Sequence, residues 1–85
     1  MRKLVFYHAE WCGPCRYAKK TVADPLKKSF PDMVELIDVQ KDPAAAQKAG
    51  VTKLPAYQLI EDRRVDRLLV GGMDVGELRQ WLEGK

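Results

Sequence analysis

Glu10-Trp11-Cys12-Gly13-Pro14-Cys15-Arg16 holds both cysteines of an 85-residue chain, with two residues between them. A bridge across two intervening residues closes a very small loop and constrains the unfolded chain little. In a reducing compartment a purely structural bridge would also be hard to maintain. Structural zinc takes four ligands, and the chain offers two thiols and one imidazole, His8. No self-contained metal site is expected. The pair reads as chemical rather than structural, and a Cys-x-x-Cys beside a βαβ pattern points to redox chemistry.

The flanking sequence places that pair. On its N-terminal side, Leu4-Val5-Phe6-Tyr7 is apolar on both faces, the pattern of a central strand covered on both sides. On its C-terminal side, Cys15, Ala18, Val22, Leu26 and Phe30 recur at steps of three and four, with Lys19, Lys20, Lys27 and Lys28 largely off the stripe. This is an amphipathic helix with a solvated basic face. Pro25 lies inside it and predicts a kink or a break, with Asp24 capping a new final segment. Val34–Val39 reads as a second strand. Asp42-Pro43 starts a helix that Gly50 ends. Ala56–Ile60 and Val65–Val70 are two more strands, and "EDRR" between them suits a hairpin turn although it lacks Gly and Asn. Asp74 caps a last helix whose core face is Leu78, Trp81 and Leu82.

The order is β-α-β-α-β-β-α. A helical crossover makes the first two strands parallel, and the hairpin makes the last two antiparallel. The fold class is therefore α/β, a four-stranded mixed sheet with helices on both faces. A chain this short forms one core, so residues 1–85 read as a single domain. Hydrophobic residues make up 46% and charged residues 32%, as in ordinary globular proteins. The apolar run "LVFY" is too short for a secretory h-region, and no run reaches membrane-span length. A cytoplasmic monomer is expected. The net charge of +3 reads as a scattered basic surface. Nucleic-acid binding would want aromatic platforms on a basic face, and none is seen.

The cysteines fall after a buried strand and at a helix start, where free N–H groups and a partial positive charge stabilise a thiolate. Cys12 comes first and reads as the nucleophile. Cys15, one turn on and facing the core, reads as the resolving thiol that attacks Cys12 and releases reduced substrate. Pro14 suits a first helical turn, and Gly13 lets a partner chain approach.

"WCGPC" is similar to the active-site signature of thioredoxins, and the resemblance extends along the chain. Lys53-Leu54-Pro55 matches the family's cis-proline segment, Val70-Gly71-Gly72-Met73 its later glycine segment, and "DVGELRQWLEG" its terminal helix. The β-α-β-α-β-β-α order matches the minimal thioredoxin fold. The resemblance implies a dithiol–disulfide oxidoreductase that needs no bound cofactor, takes electrons from a thioredoxin-reductase-type flavoenzyme and reduces protein disulfides. It implies a cis Leu54–Pro55 bond, with the Leu54 backbone beside the cysteines, where an ordinary strand-opening proline is the plainer reading. Trp11, Gly13, Pro14, Leu54, Pro55, Gly71, Gly72 and Met73 are then the candidate substrate-binding residues, a flat apolar rim around the thiol. Trp11 also reads as plain core, and Gly71-Gly72 as a strand-ending turn.

Two departures stand out. The family's buried aspartate on the first strand, which moves protons for the second cysteine, is matched by Phe6. Its partner lysine falls near Val34. His8 replaces a tryptophan usual in the family. His8 and Glu10 are the candidate proton-transfer groups, against plainer readings as a strand-end cap and a solvated loop residue. The extra N-terminal strand and helix of a full thioredoxin are not in this sequence, whose length is closer to a glutaredoxin. A glutathione-dependent reductase is the alternative, with Gly71-Gly72-Met73-Asp74 resembling the segment that holds the γ-glutamyl end. A non-catalytic binding module on the same fold is the third reading.

Overall fold

The computed structural model describes residues 1–84; Lys85, the last residue of the expected domain, lies outside the described residues. Four strands form one sheet in the order β2-β1-β3-β4. They are β1 (Arg2–His8), β2 (Val34–Asp38), β3 (Ala56–Glu61) and β4 (Arg64–Val70). β1 runs parallel to β2 and antiparallel to β3, and β4 closes the β3 edge as an antiparallel hairpin. The mixed four-stranded sheet is the one the element order implies.

The helical segments are α1 (Gly13–Ala18), a π-turn (Lys19–Ala23), α2 (Asp24–Ser29), α3 (Pro43–Ala49) and α4 (Val75–Leu82). They pack on both faces of the sheet. One core joins Leu4, Phe6, Tyr57 and Leu59 of the sheet to Ala18, Val22, Leu26, Leu78 and Leu82. The other sets Val5, Tyr7 and Ala56 against Ala46 of α3. Leu4 to Tyr7 are all buried, because β1 is central and its alternate side chains enter different cores. Each fully buried side chain of this size stabilises the fold by about 1.5–3 kcal/mol relative to exposure.

The first helix departs from expectation at Pro25. Asp24 does not cap a new segment: its backbone is helical and its carboxylate binds Lys19 Nζ at 3.1 and 3.2 Å. The proline is accommodated one turn earlier. A proline donates no N–H and its ring crowds the carbonyl four residues back, here that of Thr21. The π-turn shifts the hydrogen-bond register by one residue, and the Asp24 N–H bonds the Lys19 carbonyl. The helix thus passes Pro25 without a break, and its stripe keeps facing the sheet through Cys15, Ala18, Val22 and Leu26.

The other ends follow local rules. Asp42 caps α3 by accepting from the Ala45 N–H at 3.1 Å, and Gly50 closes it at φ 76°. The β3–β4 turn has positive φ at both Asp62 (50°) and Arg63 (70°). That is the twist of a two-residue hairpin turn, formed here without glycine or asparagine. Trp81 lies half-buried against the core, with the Arg2 guanidinium 5.1 Å from its ring centre.

Tyr57 is fully buried, and among the described residues its hydroxyl has no hydrogen-bond partner. Burial pushes its pKa up to about 12. The neutral phenol is favoured in the fold, so this contribution to stability is intact below pH 10 and is lost as pH rises from there toward about 12. An unpaired buried hydroxyl carries a desolvation penalty of about 1–3 kcal/mol. Tyr57→Phe is therefore expected to be at least as stable as the parent in urea unfolding at pH 7, and to lose less stability between pH 9 and pH 12. A loss of more than about 1 kcal/mol at pH 7 would mean the hydroxyl has a partner.

Candidate active site

β1 delivers the chain from the middle of the sheet to the start of α1. After His8 the backbone turns, and the Cys12 N–H bonds the Ala9 carbonyl at 3.2 Å. Cys12 is the N-cap of α1, extended at φ −93° and ψ 103°. Its Sγ accepts the Cys15 N–H at 3.2 Å, and its carbonyl accepts the Arg16 N–H at 3.2 Å. Pro14 stands in the first turn, where its missing N–H costs no helical bond. Sequence and cap geometry therefore agree: small, extended and turn-compatible residues bring the first sulfur onto a helix N-terminus.

Cys12 and Cys15 are joined as a disulfide, with Cα atoms 5.2 Å apart. With Ala9 they form a small buried cluster under Val39 and Leu54. Cys12 is 6% exposed and Cys15 1%. Both residues are buried, Cys12 slightly less so.

The Leu54–Pro55 peptide bond is cis. Gly71 donates its N–H to the Pro55 carbonyl at 2.9 Å, and its φ of 97° is one that glycine adopts without strain. Two segments distant in sequence, at Pro55 and Gly71, are thereby brought together. Gly72 is exposed and has open space where a Cβ would stand. Met73 is half-buried and packs against the α4-side core. Trp11 is 68% exposed, which removes the plain-core reading. Gly13 and Pro14 are exposed as well.

Two concavities lie near the pair, one against residues that pack on the cysteines and one lined by Cys15 itself. An apolar groove of about 700 Å³ runs between Trp11 and α3, with Leu54, Val39, Val51 and Ala46 in its walls and Lys53 at its margin. A more polar crevice of about 600 Å³ is lined by Cys15, His8, Glu10 and charged residues of β2 and the helix. Sequence reasoning found Trp11 and Leu54 but missed Val39, Ala46 and Val51. The available signal was "PAAAQ", whose small side chains leave room between α3 and the active-site loop.

The strand register corrects one position. Leu36, not Val34, stands beside Phe6; Val34 pairs with Leu4. Across the other edge Phe6 faces Tyr57. No carboxylate, lysine or arginine therefore flanks Phe6 on either neighbouring strand. His8 stacks on the Phe6 ring at 5.5 Å and 15°. Burial is the main influence on His8 and lowers its pKa below the ordinary 6.5, with Asp38 opposing and Lys19 assisting. Glu10 is exposed, and its backbone N–H meets Gln40 Oε1 at 3.3 Å. Asp74 caps α4, its Oδ1 accepting the Gly76 N–H at 2.7 Å. Among the described residues no group of three or more His, Cys, Asp or Glu side chains could hold a metal ion.

Thiolate chemistry at Cys12 has an experimental signature. In the reduced protein, iodoacetamide at pH 7 is expected to label Cys12 at least ~10-fold faster than Cys15, because the helix N-terminus and the N–H of residue 15 favour the thiolate. Peptide mapping by mass spectrometry reads the ratio. Equal labelling would contradict the assigned order of the two thiols.

Comparisons with known proteins agree with this geometry. The thioredoxin family model matches residues 1–84. The thioredoxin of Rhodospirillum rubrum is 30% identical over 81 residues, covering 93% of this chain and 77% of that protein. Thioredoxin 1 of Synechococcus elongatus is 33% identical over 69 residues, covering 78% of this chain and 64% of its own length. Among solved structures, a mutant thioredoxin from Halobacterium salinarum superposes with a TM-score of 0.83 at 30% identity, covering 98% of this chain and 73% of that one. Fasciola hepatica thioredoxin gives 0.80 at 28% identity, covering 98% and 79%.

Proposed function

Because the chain belongs to the thioredoxin family and carries a Cys12–Cys15 redox pair, a thiol–disulfide oxidoreductase centre, we propose that its substrates are disulfides of other proteins. The observation that carries the reading is the apolar groove walled by Trp11, the residue before Cys12, and by Leu54 and Val39, which pack against the cysteine cluster. A small polar ligand would want convergent donors and acceptors. An extended polypeptide wants an apolar trough and free backbone groups, a mode in which main-chain hydrogen bonds give affinity.

The reaction follows from the two sulfurs. The Cys12 thiolate attacks one sulfur of the substrate disulfide and expels the other as a thiolate, leaving a mixed disulfide. Cys15 loses its proton and attacks Cys12 Sγ. The Cys12–Cys15 bond forms, the second substrate thiolate leaves, and the substrate has gained two electrons. Gly13, Pro14 and Gly72 bound the approach, while the Leu54 backbone ahead of Pro55 pairs with the substrate strand and Gly71 holds that segment in place. The electrons return from a thioredoxin-reductase-type flavoenzyme. The protein acts as a monomer in the cytoplasm, where a dithiol is kept reduced, and it uses no bound cofactor.

Asp74 bears on the glutathione alternative. Its carboxylate already serves as the α4 cap, a structural task that accounts for the residue without a γ-glutamyl ligand.

A paired assay with a protein disulfide tests the reading. One arm supplies NADPH and a thioredoxin reductase; the other supplies NADPH, glutathione reductase and glutathione. Turnover is expected in the first arm, and Trp11→Ala is expected to lower its kcat/KM roughly ten-fold, the loss of one docking anchor. Turnover in the glutathione arm alone would overturn the assignment, and activity in neither would favour a binding role.

A further inference from the structure

Resolution of the mixed disulfide requires a proton to leave Cys15. The residue is 1% exposed, so bulk water does not meet its sulfur directly. Phe6, on the strand that leads to Cys12, is fully buried beside Leu36 and Tyr57 and offers no acceptor. Tyr57 is no substitute, since burial holds its phenol neutral far into alkaline pH. The acceptor must lie elsewhere.

The polar crevice is lined by both Cys15 and His8. His8 sits at the end of β1, half-buried, with its ring fixed against Phe6. Two residues further along β1 than Phe6, it points to the same side of the strand. A space of about 600 Å³ with this many polar walls has room for the bridging water a proton needs.

We propose that His8 takes the Cys15 proton through water in this crevice when Cys15 attacks Cys12, and returns it to solvent afterwards. The proposal rests on the disulfide-reductase reading above. Its proton balance is closed: Cys15 S–H gives a proton to the neutral imidazole, the sulfur attacks Cys12 Sγ, and the departing substrate thiolate is protonated from solvent.

The charges around His8 leave it suited to that task. From β2 come Asp38, its strand partner, and Glu35, which is paired with Lys3 at 2.7 Å. From the helix come Arg16 and Lys19, the latter tied to Asp24. Lys41 and Asp42 approach from the loop before α3, and Glu10 from the active-site loop. Those that act on His8 appreciably are two anions, Asp38 and Asp24, and two cations, Lys19 and Lys41, which push in opposite directions. Burial remains the larger influence and keeps the imidazole neutral, an acceptor, at pH 7.

The test separates the two thiol steps. Reduced protein is mixed with a protein disulfide, quenched in acid at intervals, and the mixed-disulfide and oxidised forms are counted by mass spectrometry from pH 5 to 9. In the parent, the rate of resolution is expected to fall as pH drops through a value below the ordinary histidine pKa of about 6.5. His8→Asn, and His8→Phe, which keeps the ring stack, are expected to resolve at least ~10-fold more slowly at pH 7 and to lack that inflection. Mixed-disulfide formation at Cys12 should stay within about two-fold, which reports that the variants are folded. His8→Asp should recover part of the rate, since a carboxylate also accepts a proton. Resolution unchanged in the Asn and Phe variants, or slowed with the inflection retained, would overturn the proposal. Failure of the parent to form the mixed disulfide at all would instead overturn the reading beneath it.

Discussion

The hydrogen bond from the Cys15 N–H to Cys12 Sγ is the contact on which the site depends. It makes the first sulfur the N-cap of α1 and aims the helix N-terminus at it. That bond needs the helix start to be held still. β1 does this: four consecutive buried residues, Leu4 to Tyr7, fix the strand between two cores, and the turn after His8 is closed by the Cys12 N–H on Ala9. The π-turn serves the same end from the other side. It absorbs Pro25 without breaking the helix, so the stripe from Cys15 to Leu26 stays against the sheet. In the reduced protein this backbone geometry would favour a Cys12 thiolate without a charged neighbour.

Backbone geometry also assembles the docking side. Pro55 and Gly71 flank different strands and meet through one N–H to carbonyl bond. Leu54 then lies over the Cys12–Cys15 cluster, and Trp11 extends the apolar surface outward. The pair is accordingly set between two unlike surfaces: an apolar groove on the α3 side and a charged crevice on the His8 side. On the proposed reading the first receives a polypeptide and the second a proton, so docking and proton transfer use different spaces.

Much of this was legible in the sequence. The period of the apolar residues separated strands from helices, and Asp42-Pro43, Gly50 and Asp74 marked helix ends through backbone groups that only those residue types satisfy. Cys12 and Cys15 were legible as a pair because two intervening residues at a helix start bring their Cα atoms within disulfide range. What escaped reading was set by tertiary context. Pro25 has a known local effect, but whether the chain kinks, caps or shifts register depends on what the helix packs against. The position beside Phe6 was misplaced at Val34 because strand register is fixed by pairing, which the sequence of one strand does not reveal. The groove walls at Val39, Ala46 and Val51 come from separate segments, so no local pattern announces them.

The central claim is that Cys12 attacks and Cys15 resolves. Trapping tests it most directly. Cys15→Ser, mixed in reduced form with a protein disulfide, is predicted to accumulate as a covalent complex linked through Cys12 and released by dithiothreitol, whereas Cys12→Ser is predicted to form no such complex. Accumulation through Cys15 in the Cys12→Ser variant, or no complex with either, would contradict the account.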